Sequence, residues 1–175
     1  MAKIIEIERK FLVKLPQSWE ALSELLDDLI DVKRISQSYL KPEGNEPSVR
    51  VRKTIEGLHG KTKTVFHYNK KKPVETGVHD EEEKEITEKQ YNSYLKNPHP
   101  DKVEIQKTRF VFKYETQVFE LDVFKDSLKG LVILEIELKK KNQKVKLPHF
   151  LKIIKEVTED KKYNNFSLAD KKLHD

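Results

Sequence analysis

The strongest constraint in this chain is a charge pattern that repeats with the period of a β-strand. The stretch MAKIIEIERKFLVKL puts Glu6, Glu8 and Lys10 at alternate positions, with Ile5, Ile7, Arg9, Phe11 and Val13 between them. Successive side chains of a strand point to opposite faces, so this segment has one charged and one largely apolar face. The arrangement returns along the chain. Arg50 and Arg52 lie in SVRVRK, Glu83 and Glu85 in EEKEI, and Lys107 and Arg109 in IQKTRF. Glu120 and Asp122 lie in FELDVF, and Glu135 and Glu137 in ILEIELK. The alternate positions are often apolar, as with Val49 and Val51, Leu121 and Val123, or Leu134, Ile136 and Leu138. An open sheet with its charged face in water explains each strand separately. It explains the set less well, because like charges about 7 Å apart on one face repel. A closed barrel with the charged faces inward accounts for them together. Acidic and basic pairs then meet across a lumen, and the apolar faces carry helices outside. Such a lumen is costly without a ligand, since buried charges need partners. A polyanion gripped by Arg and Lys, with divalent cations held by paired carboxylates, satisfies both sets.

Composition agrees with a folded domain that has either a heavily solvated surface or a polar interior. Hydrophobic residues make up 36% and charged residues 37% of 175, a low apolar and high charged share. The net charge of +5 weakly favours an anionic partner. There is no cysteine, hence no disulfide, thiolate nucleophile or cysteine metal site. The N-terminus turns charged within three residues and no apolar run approaches a membrane span. A cytoplasmic protein with no membrane or nucleic-acid partner is expected. Strands are predicted over 3–13, 31–40, 48–55, 61–70, 103–114, 116–125 and 131–140, with 81–86 ambiguous between strand and helix. A short turn near Glu115 joins two of them as a hairpin. Residues 71–80 read as a charged loop. Helices are predicted where Trp19, Leu22, Leu25, Leu26 and Leu29 recur at helical spacing, after the capping-box pair Thr87 and Gln90, over LPHFLKIIKEV, and from Ser167. Trp19 and Phe150 are expected in the core. The absence of long helices between later strands favours an antiparallel sheet and an α+β class, as one domain spanning 1–175.

The ordered set EIERK (6–10), QSYL (37–40), VRVRK (49–53), EKEI (83–86), KTRF (107–110), FELDVF (119–124), LEIEL (134–138) and EVTEDKKYNN (156–165) resembles the CYTH superfamily, the triphosphate tunnel metalloenzymes. The similarity is to its compact bacterial, inorganic-triphosphatase-like type, and it runs along nearly the whole chain. It implies a closed eight-stranded antiparallel barrel and Mg²⁺ or Mn²⁺ as cofactor. It implies that Glu6, Glu8, Glu83, Glu85, Glu135 and Glu137 face the metal, with Asp122 assisting the metal or orienting a basic neighbour. Lys10, Arg50, Arg52, Lys107 and Arg109 are implied to hold phosphates, with Glu8, Lys107 and Arg109 closest to the chemistry. In HYNKKK, Lys70 is favoured over Lys71 and Lys72 as the fourth-strand contact. Lys161, next to Lys162, matches a basic residue near the C-terminal cover. Relatives commonly have an Arg before the fifth-strand Glu pair, where this chain has Asp80 and Glu81. The histidines, His79 among them, lack ligand spacing and read as solvated or capping.

The activity implied is metal-dependent hydrolysis of a small-molecule triphosphate, foremost inorganic tripolyphosphate to pyrophosphate and phosphate. The alternatives are a class IV-type adenylyl cyclase, a thiamine or nucleoside triphosphatase, and a non-catalytic polyphosphate-binding module. A homodimer is implied by family analogy alone.

Overall fold

The protein is described by a computed structural model over residues 2–45 and 48–174. Nine strands among the described residues form one antiparallel sheet: β1 (Ala2–Lys14), β2 (Leu29–Tyr39), β3 (Ser48–Glu56), β4 (Lys63–Glu75), β5 (Val78–Ile86), β6 (Ile105–Tyr114), β7 (Gln117–Phe124), β8 (Val132–Glu137) and β9 (Lys152–Glu156). The neighbour order is β5-β4-β3-β2-β6-β7-β8-β1-β9, and a further β5–β1 pairing closes the first eight strands into a barrel. Strand β1 makes the closure by sharing one edge. Its first half, Ala2 to Ile7, pairs with β5, and beyond a bulge-like change of partner Phe11 to Lys14 pair with β9. Its other edge pairs Glu8 with Glu137 and Lys10 with Glu135 on β8.

Three α-helices among the described residues decorate the barrel: α1 (Trp19–Asp27), α2 (Glu88–Tyr94) and α3 (Asn165–Leu168). The Ser18 side chain caps α1, and Thr87 with Gln90 forms the predicted capping box of α2. Leu25 of α1 is buried with Phe11, Phe112, Phe119, Leu121, Leu134 and Ile136 on the outer faces of the strands. Burial of one such Leu is worth about 1.5–3 kcal/mol. Tyr91 of α2 packs with Val51 and Ile86. Leu168 and Ala169 lie over Tyr39, Ile105, Phe124 and Ile133, an apolar layer across the lumen-facing ends of four strands. No described helix is long and apolar enough to cross a membrane.

Three expectations fail. LPHFLKIIKEV is not helical: it turns at Pro148–Leu151 and then forms β9. The free edge of β1 beyond β5 recruits the β-branched pair Ile153 and Ile154, and tertiary pairing overrides local propensity. A bidentate Arg9–Glu156 pair at 2.8 and 2.9 Å ties β9 down. Trp19 is 72% exposed, because α1 is short and reaches the sheet only through Leu22 and Leu25. Phe150 does pack on that core. Residues 71–80 are a tight hairpin, not a loop: β4 runs to Glu75 and β5 starts at Val78.

Candidate active site and metal centre

The alternation seen in the sequence turns the charged faces inward around a cavity of about 230 Å³. Strands β3 and β6 bring Arg50, Arg52, Lys107 and Arg109 to it, and β1, β5, β7 and β8 bring Glu6, Glu8, Glu81, Glu83, Glu120, Glu135 and Glu137. A larger mouth cavity of about 650 Å³ shares Glu8, Lys10, Arg50 and Lys71 with it and adds Tyr39, Lys161 and Phe166. The two spaces therefore meet at the first-strand carboxylates.

The charges are wired in a definite order. Asp122 is fully buried. It accepts from Lys107 Nζ at 2.6 Å, from Arg109 Nε at 2.6 Å and from Arg109 Nη2 at 2.8 Å. Arg109 also reaches Glu135 at 3.2 Å and pairs with Glu120. Arg52 donates to Glu83 at 2.9 Å, and Asn69 donates to Glu81 at 2.7 Å. Lys10 sits 3.3 Å from Glu8 and 3.5 Å from Glu135. Lys71 Nζ lies 2.7 Å from Glu6 and 3.5 Å from Glu8.

These contacts shift the titrations. Burial drives the Lys107 pKa down to about 8, with Arg109 adding to the fall and Asp122 opposing it. For Asp122 burial works against the charge, but Arg109 and Lys107 outweigh it and hold the carboxyl well below its usual range. Burial likewise opposes the charge on Lys10, yet Glu135 and Glu8 raise its pKa. Burial and then the neighbours Glu6, Glu120 and Glu8 raise that of Glu137. A crowded carboxylate cluster at this end of the lumen invites a cation.

Most of the expected residues converge here: Glu6, Glu8, Lys10, Arg50, Arg52, Glu83, Lys107, Arg109, Glu135 and Glu137 line the lumen. Two placements need correction. Lys70 pairs with Glu82 in the ladder, on the face opposite to the lumen; Lys71, opposite Glu81, is the inward lysine. The fifth-strand pair is shifted by two residues. Glu81 and Glu83 line the cavity, whereas Glu85 is exposed farther along β5. Asp122, with two roles open from the sequence, has both oxygens engaged by Lys107 and Arg109, the contact of a carboxylate that orients basic neighbours. Lys161, expected near the C-terminal cover, is exposed and lines the mouth cavity. Residues with no site role expected from the sequence are Gln37, Asn69, Glu81, Asn165 and His79. Asn165 Oδ1 lies 3.4 Å from Lys107 Nζ. His79 lies opposite Glu6 on β5. Gly77 carried the missing signal: a turn there makes 71–75 and 78–86 one hairpin and sets their inward positions.

The donor set fits a divalent cation. One ligand atom each from Glu6, Glu8 and His79 lies within 4.8 Å of the others. His79 Nδ1 and Glu81 Oε2 are shielded from solvent with no hydrogen-bond partner. Other shielded atoms of the lumen with no hydrogen-bond partner are the donors Gln37 Nε2, Arg50 Nε and Arg52 Nε and the acceptor Asn69 Oδ1.

Residues 4–171 match the CYTH domain, and the chain belongs to that family. An inorganic triphosphatase from Acetivibrio thermocellus is 41% identical over 69 residues, which is 39% of this chain and 43% of that one. The solved structure of the inorganic triphosphatase NE1496 superposes with a TM-score of 0.57 at 28% identity, covering 94% of this chain and 93% of that one. The PH1819 protein of Pyrococcus horikoshii OT3 shares the fold, with a TM-score of 0.52 at 18% identity over 78% of this chain and 80% of its own.

Proposed function

We propose that this chain is a divalent-metal-dependent triphosphatase that hydrolyses linear tripolyphosphate to pyrophosphate and phosphate. The observation that carries the reading is one cavity lined by both charge sets, Arg50, Arg52, Lys107 and Arg109 with Glu6, Glu8, Glu135 and Glu137. Its unsatisfied atoms include the donors Arg50 Nε and Arg52 Nε and the acceptor Glu81 Oε2, which suits a polyanion bound together with a cation. The names of the two triphosphatase relatives support the same activity.

In this reading Arg50, Arg52, Lys107 and Arg109 grip phosphate oxygens, since guanidinium forks bind them in pairs. Asp122 keeps Lys107 and Arg109 aimed into the lumen. Lys10 and Lys71 flank Glu8 and bind the part of the chain nearest the mouth, where Lys161 adds charge. Glu6 and Glu8, with Glu137 and Glu135 beside them, hold Mg²⁺ or Mn²⁺. The cation supplies charge neutralisation at phosphate and acidity to a coordinated water. Fixed residues then do most of the work by positioning and electrostatics, as in other phosphoryl transfers.

The test is phosphate release from tripolyphosphate, ATP and thiamine triphosphate in Mg²⁺, Mn²⁺ or EDTA. Metal-dependent turnover of tripolyphosphate above the other two is expected, with loss of about 10²-fold or more in Glu8→Gln. Activity in EDTA, or full activity of Glu8→Gln at limiting metal, would overturn the assignment. The mouth cavity, with Tyr39 and Phe166 on its wall, gives a second reading in which the triphosphate carries an organic group. Faster turnover of ATP, or cyclic AMP as its product, would favour that reading.

A further inference from the structure

We propose that His79 adds a nitrogen ligand to the Glu6–Glu8 pair, a mixed oxygen–nitrogen site that tightens borderline divalent metals of the Zn²⁺ or Co²⁺ class while Mg²⁺ gains little. The inference takes from the proposed function only the placing of a cation at Glu6 and Glu8.

The strand register fixes the geometry. His79 and Glu6 are direct partners in the β1–β5 ladder, so their side chains share the lumen face. Glu8 is the next inward residue of β1. The His79 Nδ1 to Glu8 Oε1 distance is 3.8 Å. Tetrahedral ligands bound at about 2.0–2.2 Å stand roughly 3.4 Å apart. Small side-chain rotations therefore close the group around one ion.

Three features argue against an ordinary structural histidine. The Nδ1 atom is shielded and has no hydrogen-bond partner, although a buried ring nitrogen left unsatisfied is unfavourable. It stands 3.8 Å from the Glu8 carboxylate, beyond hydrogen-bond distance. Finally, a cation already sits in the cluster: the Lys71 ammonium bridges Glu6 and Glu8 at 2.7 and 3.5 Å. A divalent ion entering here takes the ammonium's place, and Lys71, on the adjacent strand, is released toward the anion. Three protein ligands with one position open is the composition of a catalytic zinc site. Mg²⁺ prefers oxygen ligands and gains little from an imidazole, whereas Co²⁺ and Zn²⁺ gain more.

The experiment titrates the substrate-free full chain with Zn²⁺, Co²⁺ and Mg²⁺ by calorimetry, and follows histidine ring nitrogens by NMR during the Zn²⁺ titration. We expect the largest ring-nitrogen shift at His79 Nδ1. His79→Gln is expected to weaken Zn²⁺ and Co²⁺ about ten-fold or more and to change Mg²⁺ less than two-fold. His59→Asn, which removes an exposed turn imidazole, is the control for surface binding and should change none of the three. No shift at His79, or an unchanged Zn²⁺ affinity in His79→Gln, would overturn the site. So would equal losses for Zn²⁺ and Mg²⁺. If His79→Gln does not fold, the wild-type nitrogen shifts decide alone. Tripolyphosphate turnover in Mg²⁺ separates the two ideas. Zn²⁺ bound at His79 without any turnover leaves the site standing and sinks the triphosphatase reading. Turnover without nitrogen ligation sinks only the site.

Discussion

Asp122 shows how one buried residue can matter to a site without touching the reacting atoms. Its two oxygens hold the buried Lys107 and Arg109, and loss of one partner leaves two buried cations poorly compensated. Breaking a buried ion pair costs about 3–5 kcal/mol. Asp122→Asn should lower the melting temperature by roughly 6–20 °C in a domain of this size, weaken tripolyphosphate binding, and leave divalent-metal affinity unchanged. Calorimetry and thermal melts decide it. A variant with lost metal affinity and intact stability would make Asp122 a ligand after all. Lys107 makes a second prediction at this scale. Burial sets its pKa at about 8, so it is charged below that pH and neutral above it. Tripolyphosphate binding in EDTA should therefore weaken as pH rises through about 8, and binding above that pH should take up a proton. Measuring binding heats in buffers of different ionisation enthalpy reports the uptake. It should vanish in Lys107→Met, and a profile identical in both proteins would remove Lys107 from the anion site.

At the scale of elements, the β4–β5 hairpin decides which charges enter the lumen. Gly77 adopts φ +68°, and a Cβ there would stand 2.8 Å from the Glu8 carbonyl oxygen and 3.0 Å from Thr158 Cγ2. The Glu8 amide in turn donates to the Gly77 carbonyl at 2.9 Å. The turn is thus packed against the strand that carries the carboxylates. Gly77→Ala should destabilise the fold by about 1–3 kcal/mol, through its positive φ and the clash, and weaken divalent-metal binding through displacement of Glu8. Unchanged melting and metal titrations would show that the turn and β1 move independently. This hairpin also marks where the sequence misleads. The alternating pairs on β1, β3, β6, β7 and β8 were legible because period-two charge separates faces without any knowledge of partners. Pro73 and the run of lysines and glutamates hid the β4–β5 turn, since proline argues against a strand interior. Pro73 is tolerated near the end of β4, beside a register shift. With the turn misplaced, Lys70 is favoured over Lys71, Glu85 takes the inward place of Glu81, and His79 reads as solvated. The β9 strand was hidden for another reason. Its pairing is with β1, more than a hundred residues away in sequence, so no local pattern announces it.

For the molecule as a whole, the substrate-free lumen neutralises itself. Lys71 pairs with Glu6, Arg52 with Glu83, and Arg109 with Glu135. A polyanion that enters alone competes with these carboxylates for the basic groups. A divalent cation that enters alone competes with Lys71 for Glu6 and Glu8. When both enter, each releases the partner that the other needs, and the pairs are exchanged rather than broken. Binding of the two should therefore be synergistic. Coupling between sites is typically about 1–3 kcal/mol, and it is reciprocal. A non-hydrolysable imidotriphosphate should then tighten divalent-metal binding by roughly 5- to 150-fold, and the metal should tighten the anion by the same factor. Because Lys71 is the cation that the metal displaces, Lys71→Met should bind metal more tightly without the anion and show less coupling. Calorimetric titrations in both orders close the cycle. Equal metal affinities with and without imidotriphosphate would mean that the two charge sets do not exchange partners, and that the barrel's self-neutralised interior is incidental to binding.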